Sequence, residues 1–369
     1  MNETVPFIGL AKEVSETKAE LMKAVEKVLE SGNYVLGPEV ASFEKEFASL
    51  CDAKFALGLD NGTHSMIIML RKLNLKSDDE VITAPNSFIA SASSIALAGG
   101  RPVFCDIGPD LNMDPEALER AITPKTRAIM PVHLTGRPAK MKEIMAIAKK
   151  RGLFVLEDAA QSVGAKLGEQ TVGSMGHVAS FSLHPLKNLH AFGDGGMFTT
   201  NDPDFASWML KARNHGLMNR NECEFWSYNS RLDEIQAAML RVQLKHLPRY
   251  TQARRALAKR YNEALKDYVD VPIEAPGEYH IYQTYMIQAD HRDRLEKHLN
   301  SQGVEARVHY PITLPFQPAA AYLGYRESDL PVAVRASKRI LSLPCHPTLT
   351  FEQQDRAISL IKDFYERQL

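Results

Sequence analysis

A chain of 369 residues is too long for one minimal hydrophobic core and suits one large domain with a smaller companion. Hydrophobic residues make up 44% of the chain and charged residues 24%, and the formal net charge is -1 at pH 7. Composition therefore gives no electrostatic reason to expect a nucleic acid or a membrane surface as a partner, and favours a small molecule.

The first twenty residues contain no basic stretch followed by an apolar block, and no later apolar run is long enough to span a bilayer. We therefore expect neither export nor membrane insertion. The four cysteines are scattered and form no Cys-x-x-Cys pair, which argues against a disulfide scaffold and against a structural zinc site. These features predict a cytoplasmic protein without a structural metal.

From about residue 60 the sequence alternates strand-like and helix-like segments. The β-rich runs DEVITAP, RPVFCDI, RAIMPVHL and GLFVLEDAA are separated by periodic segments such as MDPEALERAI and KMKEIMAIAKKRG. This alternation predicts repeated βαβ units and hence an α/β fold with a largely parallel sheet. Asp114 is expected to cap one of these helices at its start, and Gly152 to end another.

The segment SRLDEIQAAMLRVQLKHLPRY predicts a strong helix that ends at Pro248, followed by a second amphipathic helix in TQARRALAKRYNEALKDY. We place the domain boundary there. A large domain is predicted over residues 1–248, including the N-terminal segment, and a smaller α+β domain over residues 249–369.

Two charged side chains, Asp158 and Lys187, are candidates for catalysis. Open parallel sheets bind ligands at the carboxyl ends of their strands, and LFVLEDAAQSVGA delivers Asp158 to such an end. Asp158 could simply cap the next helix, but an ionised carboxylate at a buried strand end needs a cation.

Lys187 lies in the apolar stretch of FSLHPLKNLHAFGDGG. It is either a surface side chain or an amine held out of water that can attack a carbonyl.

Two further features point to the same sheet edge. Gly62 and Thr63 come just before the apolar helical run SMIIMLRKL, and amides at a helix start together with a hydroxyl make a phosphate site. A capped helix without a ligand fits the pattern equally well. Phe88 follows a strand and either belongs to the core or covers a flat heterocycle. The glycines of the FGDGG turn allow positive φ or close approach of another group.

Other chemistries lack support in the sequence. It contains no His-Glu-x-x-His, Walker A or G-x-G-x-x-G motif, so metal hydrolysis, nucleoside triphosphate use and dinucleotide binding are not indicated. His133, His184 and His309 lie near predicted strand ends or loops and are each interpreted as structural. A lysine for an imine, a buried acid, a phosphate site and a flat aromatic together form the set that pyridoxal phosphate requires.

The chain as a whole resembles the sugar aminotransferases of the DegT/DnrJ/EryC1/StrS family, which are fold-type I pyridoxal phosphate enzymes. The resemblance covers nearly the whole chain, through YVLGPEVASFEKEFA, NGTHSM, VITAPNSFIASASSI, PVFCDI, EDAAQSVGA, FSLHPLKNLHAFGDGG, YNSRLDEIQAAML and VEARVHYP. It implies a large domain with a mostly parallel, seven-stranded sheet. It also implies that the cofactor is pyridoxal 5'-phosphate, interconverting with pyridoxamine phosphate.

The resemblance implies roles for single residues. Lys187 corresponds to the lysine that binds the cofactor aldehyde, and Asp158 to the partner of the pyridine nitrogen. Asn229 corresponds to an asparagine that reaches the cofactor phosphate of the neighbouring subunit, which implies a homodimer with shared active sites. The remaining cofactor contacts are Gln161 to the 3-oxygen, Phe88 stacked on the ring, and Gly62, Thr63 and Ser182 at the phosphate. His184, His309 and Tyr310 are weaker candidates for substrate contacts.

Family members that dehydrate carry histidine in place of the lysine, so Lys187 favours amino transfer. The resemblance implies L-glutamate as donor and a nucleotide-linked keto-deoxysugar as acceptor. The product would be an amino sugar for a surface polysaccharide, such as a lipopolysaccharide O-antigen, or for a glycosylated metabolite. The alternatives are a cyclitol ketone such as an inosose, formation of an aromatic amino acid, and a non-catalytic regulatory relative. In HYPITLPFQPAA, Pro315 replaces a histidine that similar enzymes carry.

Overall fold

The computed structural model of the chain describes residues 4–368. Within this range the strands are β1 (Phe55–Leu59), β2 (Glu80–Thr83), β3 (Arg101–Phe104), β4 (Thr126–Met130), β5 (Phe154–Asp158), β6 (Lys166–Leu167), β7 (Gln170–Thr171), β8 (Val178–Ser182), β9 (Gly196–Thr200), β10 (Glu278–Tyr279), β11 (Tyr285–Gln288) and β12 (Ile340–Leu343). The α-helices are α1 (Leu10–Ser31), α2 (Pro38–Leu50), α3 (Gly62–Lys72), α4 (Ile89–Leu97), α5 (Pro115–Ala121), α6 (Met141–Arg151), α7 (Pro203–Ala212), α8 (Glu234–Leu265), α9 (Arg292–Ser301), α10 (Pro331–Ser337) and α11 (Phe351–Gln368).

Seven strands form the main sheet, in the order β1-β9-β8-β5-β4-β2-β3. All neighbours in it run parallel except β9, which is antiparallel to both β1 and β8. The predicted β-rich runs form β2, β3, β4 and β5, with helices between them. The expected α/β fold with a mostly parallel, seven-stranded sheet is therefore confirmed.

Both faces of this sheet are buried. In β5, Val155 packs into the apolar cluster on one face and Leu156 into the cluster on the other. The pairs Ile129 and Met130 in β4, and Met197 and Phe198 in β9, divide between the two clusters in the same way. Side chains alternate between the faces of a strand, so a strand covered on both sides reads as an almost continuous apolar run. This explains the apolar runs in the sequence.

The two predicted helix ends are confirmed. Asp114 caps α5, because its side chain accepts a hydrogen bond from the backbone N–H of Ala117 at 3.1 Å. Gly152 ends α6 in the left-handed conformation, with φ of 66°. No helix among the described residues is long and apolar enough to cross a membrane.

The prediction that Pro248 ends a helix is wrong. Helix α8 continues through Pro248 to Leu265. On either side of the proline, buried Leu247 packs into a cluster of the main sheet and buried Leu257 into a separate cluster farther along the chain. Packing on both sides holds the helix together, although the proline removes one backbone hydrogen bond. The domain limit at residue 248, which falls within α8, stays a prediction.

The separate cluster lies around the antiparallel pair of β11 and β12. Helices α9 and α11 and the last part of α8 supply nearly half of its buried apolar side chains. Val5 also belongs to it, because a β-bridge joins Val5 to Val304. The N-terminal segment thus packs beside the C-terminal part of the chain, a long-range contact that no local sequence pattern indicates.

Candidate active site

A cavity of about 750 Å³ opens at the carboxyl edge of the main sheet. The carboxyl ends of β1, β2, β5 and β8 meet there, because these strands point the same way. The cavity is lined by ten of the residues singled out in the sequence: Gly62, Thr63, Phe88, Asp158, Gln161, Ser182, His184, Lys187, His309 and Tyr310. Asn229 does not line it but lies on the surface, where a β-bridge joins it to Asn214.

Asp158 ends β5 and is buried, with 3% of the residue exposed. One carboxylate oxygen, Oδ2, accepts a hydrogen bond from Ser91 Oγ at 2.6 Å, and Oδ1 accepts one from the backbone N–H of Ala160 at 3.2 Å. Burial raises the pKa of this carboxyl group; the two hydrogen bonds and the charge of Lys187 oppose the rise. A buried acid in this state is suited to a cationic group brought by a ligand.

Lys187 belongs to the loop between β8 and β9, and its backbone N–H donates to the carbonyl of His184 at 2.9 Å. Removal of the amine from water lowers the pKa of Lys187, while the charge of Asp158 opposes the change. A desolvated amine is neutral for more of the time and is therefore a better nucleophile and base. The cavity thus brings the predicted amine and acid within electrostatic reach of each other.

The start of α3 forms another wall of the cavity. Asn61 caps the helix, accepting a hydrogen bond from the backbone N–H of His64 at 2.7 Å, and Gly62 and Thr63 begin it. The FGDGG turn packs against this start so tightly that a Cβ on Gly196 would lie 2.4 Å from the carbonyl carbon of Asn61. Close approach, rather than positive φ, is the reason for that glycine. The backbone amides at a helix start have no partner within the helix and so suit a phosphate group.

Two more predicted residues have side chains available to a ligand. Phe88 is 49% exposed and lines the cavity, so it does not belong to the core. Its ring lies 5.8 Å from that of Tyr310, between centroids. Gln161 Oε1 accepts a hydrogen bond from the backbone N–H of Thr135 at 2.7 Å. This bond fixes the amide so that its Nε2 is a possible donor to a ligand.

The histidines differ in their surroundings. Burial, with smaller contributions from Arg307 and Lys187, lowers the pKa of His309 to about 4, so this ring is neutral at pH 7. His309 Nδ1 lies 3.0 Å from Ser342 Oγ. His184 is exposed at the cavity wall and accepts from the backbone N–H of Leu186. Buried His133 bonds to Glu157 at 3.0 Å, as expected of a structural histidine.

Several cavity residues were not found from the sequence. Ser87 lines the cavity just before α4, and Ser91 lies four residues later within that helix. Their hydroxyls are 2.8 Å apart, so Ser87 can donate to the Ser91 hydroxyl, which in turn donates to Asp158. The i, i+4 spacing of these serines was the available signal. Phe7 and Glu13 of the N-terminal segment also line the cavity. Their presence depends on long-range packing and had no sequence signal.

These residues fit pyridoxal phosphate. The buried acid Asp158 forms no salt bridge within the described range, the start of α3 presents backbone amides, and the half-exposed Phe88 lines the cavity. Among residues 4–368 no group of three or more His, Cys, Asp and Glu side chains is arranged to hold a metal ion. The donor set is thus one for an organic phosphate with a cationic ring.

Comparison with known proteins agrees with this chemistry. The sequence profile of the DegT/DnrJ/EryC1/StrS aminotransferase family matches residues 15–362. The chain is 44% identical over 366 residues to the "Pleiotropic regulatory protein" of Geobacillus stearothermophilus, with 98% of each protein covered. It is 38% identical over 366 residues to dTDP-3-amino-3,4,6-trideoxy-alpha-D-glucose transaminase of Streptomyces venezuelae, covering 98% of this chain and 97% of that enzyme.

Solved structures give the same result. The crystal structure of S. venezuelae DesV in complex with a ketimine intermediate matches this fold with a TM-score of 0.96 and 38% sequence identity. The match covers 99% of this chain and 100% of that one. Both the sequence and the fold thus match this family over nearly the full length of the chain. The chain belongs to the DegT/DnrJ/EryC1/StrS aminotransferase family.

Proposed function

We propose that this protein is a pyridoxal phosphate-dependent aminotransferase that moves an amino group from L-glutamate to a nucleotide-linked keto sugar. The observation that carries the proposal is the meeting of Lys187 and Asp158 in one cavity, where burial lowers the pKa of the amine and raises that of the acid. The resemblance to a dTDP-sugar transaminase supports the class of acceptor. The balanced reaction gives 2-oxoglutarate and an amino sugar.

Each residue has a separate task in this proposal. Pyridoxal phosphate supplies the carbonyl carbon that carries the amino group and a ring that takes up electrons. Asp158 would hold the ring nitrogen, and Gln161 the 3-oxygen. The phosphate and the ring face would be held by Gly62, Thr63, Ser182 and Phe88. Lys187 Nζ would take a proton from the reacting carbon of the substrate and return one later, which a lowered pKa favours near neutral pH.

The assembly and location form part of the proposal. Asn229 lies outside the cavity of its own chain and on the surface. Its position leaves it available to a second copy, and we propose that it serves the cofactor phosphate there, which would make the active unit a homodimer with shared sites. The four cysteines are free thiols, as expected in a reducing compartment, and we propose a cytoplasmic location. The amino sugar would enter a surface polysaccharide such as an O-antigen, or a glycosylated metabolite.

A regulatory function is the second candidate, because one relative at 44% identity is named a pleiotropic regulatory protein. A purely regulatory protein has no need of a desolvated lysine next to a buried acid. This chain retains both Lys187 and Asp158. Catalysis is therefore favoured. Incubation with glutamate and panels of nucleotide keto sugars and inososes distinguishes the acceptor classes, and absence of transfer to any of them would favour the regulatory candidate.

The decisive test is Lys187→Ala, with Lys142→Ala as the matched control on the exposed surface of α6. We expect Lys187→Ala to lose the absorbance of the lysine-bound cofactor and to lower turnover at least 100-fold, since acid–base catalysis contributes roughly 10²–10⁴-fold. Lys142→Ala should keep both properties. Full turnover by Lys187→Ala, measured as 2-oxoglutarate release, would refute the proposed mechanism.

A further inference from the structure

Three lysine and arginine side chains line the cavity among the described residues: Lys187, Arg254 and Arg307. Lys187 is assigned to the chemistry. Arg254 is buried and donates through Nη1 to the carbonyl oxygen of Cys345 at 2.5 Å, with two longer contacts to neighbouring carbonyls. Arg254 thus holds backbone carbonyls through Nη1, and its buried Nε lacks a partner among the described residues, whereas Arg307 is the exposed basic side chain that a ligand can engage.

The surroundings of Arg307 leave its guanidinium accessible. Its side chain is 46% exposed, and its ion pair with Glu305 is long, at 3.4 Å. The same Glu305 oxygen already accepts a hydrogen bond from the backbone N–H of Phe7 at 2.9 Å. An exposed ion pair of this kind contributes little stability. The guanidinium carbon lies 5.0 Å from the centre of the Phe7 ring, which orients the group without neutralising it.

The backbone at Arg307 is firmly positioned. Its N–H and carbonyl exchange hydrogen bonds of 3.1 and 2.8 Å with Ser342 of β12. Two residues later His309, whose pKa is lowered by both Arg307 and Lys187, lies close to the two charges and is itself neutral at pH 7. The acids that line the cavity are Glu13, Asp158 and Asp194, and none of them pairs with Arg307 within the described residues.

We propose that Arg307 binds the distal carboxylate of the amino donor and thereby selects a dicarboxylic amino acid. The inference rests on the proposed function, since it takes Lys187 as the place where the donor reacts. In glutamate only about 4 Å of carbon chain separates the reacting carbon from the distal carboxylate. Both ends of the donor must therefore bind in one cavity, and Lys187 and Arg307 line the same one. A planar guanidinium can grip a carboxylate with two parallel hydrogen bonds, which gives specificity for its shape as well as its charge.

Binding of a donor analogue that cannot react tests the inference directly. Glutarate has both carboxylates of glutamate and no amine. By calorimetry on the holoenzyme, Arg307→Gln should bind glutarate roughly 10- to 100-fold more weakly than the unmodified protein, as for loss of a charged hydrogen bond. Arg307→Lys should recover part of the loss. Arg120→Gln, which removes an exposed arginine of α5 that does not line the cavity, is the control and should bind normally.

A second titration separates the donor from the acceptor. If Arg307 instead binds the diphosphate of the nucleotide sugar, Arg307→Gln will lose affinity for dTDP and keep its affinity for glutarate, which overturns the inference. Unchanged glutarate affinity in both Arg307 variants also overturns it. In steady-state assays we expect the KM for glutamate to rise in Arg307→Gln while the KM for the acceptor does not. Failure of the unmodified protein to transfer amino groups would count against the proposed function instead.

Discussion

Asp158 is a carboxyl group kept from water, with a serine hydroxyl and a backbone amide as its hydrogen-bond donors. Its raised pKa means that the folded, cofactor-free protein holds the proton more tightly than the unfolded chain does. Stability from this group is therefore fully present below the unfolded-state pKa and is lost as the pH rises through the folded-state pKa. The cofactor-free protein therefore loses stability from this group as the pH rises between those two pKa values.

Replacement of this acid by a neutral isostere gives the first prediction. Cofactor-free Asp158→Asn should melt at a higher temperature than the unmodified protein at neutral pH, and the difference should shrink as the pH falls toward about 4. The same variant should bind pyridoxal phosphate roughly 10- to 100-fold more weakly, because a charge-assisted hydrogen bond is lost. Asp78→Asn, at an exposed carboxylate, is the control. A difference in melting temperature that does not vary with pH would contradict this account.

The FGDGG turn supplies the second prediction at the residue scale. A Cβ on Gly196 would lie 2.4 Å from the carbonyl carbon of Asn61 and 2.7 Å from the nitrogen of Gly62, which are backbone atoms. Gly196→Ala should therefore lower the free energy of unfolding by about 1–3 kcal/mol. It should also weaken cofactor binding, because the start of α3 must move.

The matched control lies in the same turn. A Cβ on Gly193 would meet Gln236 Nε2, the end of a flexible side chain, at 3.2 Å. Gly193→Ala should change the free energy of unfolding by no more than about 0.5 kcal/mol. Urea unfolding and cofactor titration of both variants measure the contrast. Equal behaviour of the two would mean that close packing is not the reason for Gly196.

At the scale of elements, α8 shows how tertiary packing overrides a local signal. Polar side-chain contacts from α8 to α1 lie on both sides of Pro248: His246 with Glu20 at 3.2 Å and Arg249 with Glu16 at 2.9 Å. Buried Leu247 and Tyr250 add apolar contacts. A proline inside a helix is a strong stop signal when only neighbours along the chain are considered. Contacts with distant residues supply the free energy that keeps the helix continuous here.

The proline still weakens its helix, which is the third prediction. Pro248 is exposed, so Pro248→Ala restores a backbone hydrogen bond to the carbonyl of Leu244 without disturbing a core. We expect the free energy of unfolding to rise by about 1–2 kcal/mol. This is less than the full penalty of ~3 kcal/mol for proline in a helix, because alanine increases the conformational entropy of the unfolded chain. Lys245→Ala, at an exposed position one turn earlier, should have little effect. A decrease in urea stability of Pro248→Ala would show that the proline shapes a required bend.

At the scale of the whole molecule, the sequence predicts what its local patterns encode. Apolar runs located four strands of the main sheet, and the rule that ligands bind at strand ends located Asp158. Lys187 stood out because an amine in an apolar stretch is unusual. Phe7 and Arg307 were missed, because each reaches the cavity through contacts across the fold rather than through its sequence neighbours. Ser91 was missed although its spacing from Ser87 was a signal, because its bond to Asp158 joins two distant segments. The resemblance to a family supplied residue roles that the patterns alone left open.

Sharing of sites between two copies is the last prediction, and mixing two inactive variants tests it. Lys187→Ala lacks the amine, and Asn229→Ala lacks the exposed amide that is proposed to serve the neighbouring cofactor. In a hybrid dimer one site combines Lys187 from one copy with Asn229 from the other and is intact, while the other site lacks both. Random mixing makes half of the dimers hybrids with one working site of two, so activity should return to about a quarter of normal. As a control, variants mixed under conditions in which subunits do not exchange should stay inactive. Size exclusion with a tagged copy shows whether exchange has occurred. Asn229→Ala that is fully active alone, or a well-exchanged mixture that stays inactive, would mean that each copy completes its own site.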